Sequence, residues 1–133
     1  MQNGVYVIKC RGKIPYVYHW GILIIKNNER YVLHNSPFNQ KNKFGGSIKK
    51  ESFENFLKEY KPIFLNKTNL TEKEALKETT KLLNKPFNTI TFNCNTYVSS
   101  IAKKFVPISV DNFLTFGFVF MLGFIVYKAL NNK

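Results

Sequence analysis

The chain has 133 residues, 44% of them hydrophobic, with 20 Lys+Arg against 8 Asp+Glu and a net charge of +12. That length supports one domain, its 13 Phe and 7 Tyr exclude a disordered chain, and its two cysteines exclude a disulfide framework. The charge favours polyanions, but the lysines are spread along the chain with no Arg-rich run or groove-reading motif, so an anionic membrane surface is the expected partner and nucleic acid is not.

The opening MQNGVYVIKCRGK has no apolar core behind a basic head, which predicts that the chain is not secreted through its N-terminus and keeps Cys10 and Cys94 reduced. Val5 to Lys9 alternates and reads as a first strand, turned by Arg11, Gly12 and Lys13. Tyr18 to Ile25 and Arg30 to His34 are rich in β-branched and aromatic residues and flank Lys26-Asn27-Asn28-Glu29. This is a hairpin pattern, because Asn tolerates the left-handed conformation of a tight turn.

Ser36, Pro37, Gly45 and Gly46 predict loop. A helix is expected over Glu51 to Tyr60, stopped by Pro62, with a short strand at Ile63 to Leu65. Thr71 followed by Glu74 predicts a capping box opening a helix to about Leu83, before Pro86. After the polar stretch Asn88 to Asn93, Tyr97, Val98, Ile101 and Phe105 recur at helical spacing, so Cys94 to Phe105 is expected to be helical.

A linker, residues 106–112, then leads to a segment without charge from Phe113 to Tyr127. Extended to Leu130 with Lys128 snorkelling outward, it would reach roughly 27 Å as a helix, close to the thickness of a bilayer core. Its apolar residues surround every face, so a membrane anchor over residues 113–130 is expected. With no signal peptide, the basic domain would stay on the cytoplasmic side. Gly117 and Gly123 lie too far apart for the Gly-x-x-x-Gly face of a helix dimer.

The hairpin carries a geometric consequence. If Asn27 and Asn28 form a two-residue loop, Gly21 lies opposite His34 and His19 opposite Ser36. His19 and His34 then share a face as diagonal neighbours, roughly 7–8 Å apart at the backbone. Cys94 would stand in the first turn of its helix, where free N–H groups and the helix dipole are expected to lower a thiol pKa. The same helix start would turn the backbone N–H of Cys94 toward an oxyanion. A cysteine, a histidine base and a second polar group to orient that base suffice for thiol acyl transfer, with no metal or cofactor required. A four-ligand zinc site would need both cysteines and both histidines to converge.

YHWGILI, a hairpin ending in VLH, and KPFNTITFNCNTYV far downstream resemble the permuted papain-like thiol enzymes of the NlpC type. The likeness is strongest to the lecithin:retinol acyltransferase-like group of small phospholipases and acyltransferases. It spans about residues 4 to 105, within an expected catalytic domain of residues 1–105. It implies an α+β fold with an antiparallel sheet packed against helices, Cys94 as nucleophile, His19 as general base and His34 as the residue orienting it. It also implies an acyl-enzyme intermediate, and several animal members end in one hydrophobic anchor as residues 113–130 would. Asn95, Thr96 and Tyr97 stand where the acyltransferase members carry Glu-His-Phe. That departure leaves the lipid activity unsecured, and it is the expected anchor that makes membrane lipid ester or amide bonds the first expected substrate. Peptide or cell-wall amides, cleaved by an amidase of the same fold, are the alternative, and an inactive membrane-tethered binding module is a second.

Overall fold

The computed structural model describes residues 1–12, 17–36, 43–45, 47–88 and 93–102. Six strands form one sheet: β1 (Gly4–Arg11), β2 (Tyr18–Lys26), β3 (Glu29–Asn35), β4 (Lys43–Gly45), β5 (Ile48–Ser52) and β6 (Lys61–Lys67), in the order β4-β5-β3-β2-β1-β6. Every pairing is antiparallel. Three helices complete the described domain: α1 (Phe53–Glu59), α2 (Glu72–Thr80) and α3 (Cys94–Ala102). The architecture is therefore α+β, with an antiparallel sheet packed against helices.

The β2–β3 turn has the two-residue loop expected from its asparagines. Asn27 and Asn28 have φ of 50° and 69°, and Lys26 pairs with Glu29. Positive φ at both central residues matches the right-handed twist of the flanking strands. From there the ladder runs as far as Ile22 opposite Leu33.

Both faces of the sheet are covered. Val5, Val7, Trp20, Ile22, Ile24, Leu33 and Ile48 pack against Ala75 of α2 and Tyr97, Val98 and Ile101 of α3. Tyr6, Ile8, Cys10, Leu23, Ile25 and Val32 pack against Phe53 and Phe56 of α1, with Tyr60 at their margin. This explains why the middle of β2 is an unbroken apolar run, Ile22 to Ile25: side chains on both faces leave water, and each large one contributes about 1.5–3 kcal/mol. The buried Tyr97 hydroxyl meets Thr79 Oγ1 at 2.9 Å, so the contact between α2 and α3 leaves no polar atom stranded there.

Three expectations are corrected. The stretch predicted as loop around Gly45 contains β4 and β5, because register with β3 (His34 opposite Lys49, Asn35 opposite Ile48) supplies hydrogen bonds that local composition does not reveal. The first helix begins at Phe53 rather than Glu51. Ser52 ends β5 and caps the helix, its side chain accepting from the Asn55 N–H at 3.2 Å. The second helix ends at Thr80, short of Leu83, and continues as turn.

Its start is as expected: Thr71 Oγ1 accepts from the Glu74 N–H at 3.2 Å while Glu74 accepts from the Thr71 N–H at 2.8 Å. Pro62 sits in edge strand β6, beside a register shift at Lys9/Cys10, a position where the missing N–H costs little. Phe105, the linker over 106–112 and the apolar segment 113–130 lie outside the described residues. Among those described, no helix is long and apolar enough to cross a membrane.

Candidate active site

Alternation along β2 and β3 sets the histidines on the face covered by α1. Leu23 and Ile25 follow His19 at steps of two residues, and Val32 precedes His34. The expected diagonal placement becomes direct contact, with His19 Nε2 2.7 Å from His34 Nδ1 and the rings edge-on at 90°. This side-chain bond stands beyond the Ile22–Leu33 pair, where the backbone ladder between β2 and β3 has ended.

Gly21 permits the close approach of the strands. A Cβ built there would lie 2.8 Å from Val32 Cγ1 and 3.3 Å from the Leu33 carbonyl oxygen, so any side chain would wedge β2 away from β3.

Three residues that the sequence did not single out complete the histidine pair. Glu51 on β5 brings Oε1 to 2.6 Å from His34 Nε2, with His34 2% and Glu51 18% exposed at the side chain. Tyr60, just past α1, stacks on the His19 ring at 4.3 Å between centroids and meets Ser36 through its hydroxyl. Lys49, directly opposite His34 on β5, is 7% exposed, and its charge is felt at His19. Glu51 and Lys49 were hidden by the same omission, since reading Glu51 as helix removes the register that would have aimed it at His34. Burial, followed by His34 and Lys49, holds the His19 pKa well below the usual histidine range. His19 is thus neutral near pH 7 and able to accept a proton.

Cys94 opens α3 as expected, and the sequence also conceals how that end is built. Asn93 Oδ1 accepts from the N–H groups of Asn95 and Thr96 at 2.9 and 3.0 Å, and Thr96 Oγ1 accepts from the Asn93 N–H at 2.8 Å. This cap leaves the N–H of Cys94 itself facing its own sulfur, beside the N–H groups of Trp20 and Asn95.

The expectation of a lowered thiol pKa is reversed. Cys94 is partly exposed as a residue and packs against the Trp20/Ile22 cluster. Burial of the sulfur outweighs those three N–H groups and pushes its pKa up. The other thiol, Cys10, is buried without any compensating donor and is pushed up to about 12.

The site thus brings His19 and His34 together directly and brings Cys94 to the same end of β2. Trp20, whose N–H donates to Sγ, is the chain neighbour of His19, and the Tyr60 phenol stacked on His19 feels the Cys94 charge. Among the described residues no hydrogen bond joins Sγ to His19, and Nδ1 of His19 has no partner. No cluster of metal-ligating side chains forms among the described residues. No family model, curated protein or solved structure matches the chain.

Proposed function

We propose that the protein is a thiol acyl hydrolase or acyltransferase of the permuted papain-like type, acting on ester or amide bonds of membrane lipids through Cys94, His19 and His34. The observation that carries this reading is the convergence at one end of β2. Cys94 packs against the cluster that holds Trp20, whose backbone N–H favours the thiolate, and the preceding residue, His19, is held by His34 with its other nitrogen without a partner among the described residues.

With the thiol pKa raised and the imidazole pKa lowered, the resting site holds two neutral groups. The S–H proton passes to Nδ1 of His19 as Sγ attacks the acyl carbon, a general-base step contributing about 10²–10⁴-fold. The tetrahedral oxyanion forms at the tip of α3, where the N–H of Cys94, which the Asn93 side chain does not take, is the donor; one such donor contributes roughly 3–4 kcal/mol. His19 then protonates the leaving alcohol or amine, and water or an acceptor nucleophile releases the acyl group from sulfur.

Lipid is favoured over peptide by features of the chain beyond these three residues. The chain carries a net charge of +12 and an apolar segment at 113–130 suited to anchoring. Edge strand β6 exposes Ile63 at 46%, Phe64 at 43% and Leu65 at 40% between Lys61 and Lys67, a mixture suited to lipid headgroups and the chains beneath them. On this reading the domain works at the cytoplasmic face of its membrane, where anionic lipids attract a basic chain.

The test is release of fatty acid from vesicles containing anionic phospholipid by the full chain. Activity lost in Cys94→Ala and His19→Ala supports the reading. Undiminished activity in Cys94→Ala contradicts it, and activity on peptidoglycan peptides alone replaces lipid with an amide substrate.

A further inference from the structure

Glu51 is the one acid that touches the histidine pair among the described residues, and a Cys-His-His mechanism assigns it nothing. We propose that Glu51 is a positioning residue that dictates which nitrogen of His19 carries the proton, and so leaves the correct nitrogen bare for the thiol. The inference rests on the reading of His19 as base and deepens it.

An ionised carboxylate only accepts hydrogen bonds, so Oε1 at 2.6 Å from His34 Nε2 requires the His34 proton on Nε2. With one proton on the His34 ring, that proton on Nε2 leaves Nδ1 as a lone pair. His19 Nε2, 2.7 Å from that lone pair, must then be the donor. The one proton of the neutral His19 ring is committed there, and Nδ1, the nitrogen without a partner among the described residues, is left as the base.

Reversing the chain of donors would protonate Nδ1 of His19 and leave it unable to accept from Sγ. The direction is set from outside the pair, because two neutral histidines in contact are otherwise equally able to donate either way. Lys49 stands beside Glu51 on the same face of β5 and lies in the field of its charge, directly opposite His34. Glu51 bonds His34 and, among the described residues, has no hydrogen bond to Cys94, so its expected effect is on the rate of proton transfer and not on substrate affinity.

The inference is tested by long-range proton–nitrogen NMR of the full chain labelled with ¹⁵N at histidine, beside Glu51→Ala and the isosteric Glu51→Gln, whose amide can donate as well as accept. Native protein at pH 7.5 is expected to show His19 and His34 both protonated at Nε2 alone, and both variants to show His19 as a mixture of the two forms. In parallel, acylation of Cys94 by a soluble p-nitrophenyl ester is expected to slow by about 10²-fold or more in Glu51→Ala with KM unchanged, the scale of lost base catalysis. A native His19 protonated at Nδ1, or a proton pattern unmoved in both variants, overturns the role of Glu51, whatever the activity. If the nitrogen pattern follows Glu51 while Cys94→Ala still turns over the ester, the positioning stands and the thiol mechanism fails, so the two failures are told apart.

Discussion

His19 and Cys94 are displaced from their ordinary protonation ranges in opposite senses, and both displacements have burial as the largest cause. A thiolate–imidazolium pair needs the reverse of each shift, so the resting site is neutral and its reactivity is released only as the proton moves. Alkylation of Cys94 by iodoacetamide should therefore rise with pH through a midpoint above the ordinary value of 9.0. A midpoint below about 8.5 would show a preformed thiolate and contradict the neutral pair. Stability follows from His19 by the same logic. Its pKa is about 6.5 in the unfolded chain and lower in the fold, so the unfolded chain binds the proton more readily. The contribution of His19 is complete above pH ~6.5 and is lost as pH falls from there toward the folded value. Urea midpoints measured between about pH 7.5 and 5 should fall, and fall less steeply in His19→Gln; equal slopes in the two proteins would count against a depressed His19.

At the level of elements, Gly21 and the tip of α3 carry the site. Gly21→Ala forces a Cβ against Val32 Cγ1 at 2.8 Å, so a destabilisation of about 1–3 kcal/mol is expected, with His19 drawn off His34. Equilibrium denaturation reads the first effect and the NMR nitrogen pattern of the two histidines reads the second; an unchanged midpoint would mean that the strands are not in close contact there. Asn93→Ala removes the acceptor for the Asn95 and Thr96 N–H groups and should cost about 1 kcal/mol, with slower acylation as the start of α3 frays; full activity would mean that the cap does not hold Cys94 in place. The β2–β3 hairpin and its register were legible because Asn27-Asn28 specifies a two-residue turn, and that alone places His19 beside His34. The capping box at Thr71 and the start of α3 at Cys94 were legible for similarly local reasons. β4 and β5 were not, because Ile48-Lys49-Lys50-Glu51-Ser52 has one apolar residue in five and is held as strand by its partner. With β5 went Glu51 and Lys49. Burial of the sulfur was also hidden, since helix position is a local property and desolvation depends on the whole chain around it.

For the whole molecule, the basic charge and the exposed apolar strand β6 predict a substrate presented on a surface. Activity on vesicles containing anionic lipid should exceed activity on zwitterionic vesicles, and the gap should narrow between about 50 mM and 500 mM salt as screening shortens the reach of the lysines. Equal rates at both salt concentrations would remove the electrostatic part of the account. The sheet brings Glu51, His34 and His19 into one hydrogen-bonded row, and α3 carries Cys94 to the strand that bears His19. The central claim is that an acyl group comes to rest on that sulfur. Intact-mass measurement after the full chain is incubated with mixed phospholipid vesicles, and separately with a pool of peptidoglycan peptides, tests it most directly. The account predicts a fatty-acyl adduct from the vesicles, mapped to Cys94, absent in Cys94→Ala and from the peptide pool. A protein that remains unmodified with both substrates, or is acylated elsewhere, would contradict it.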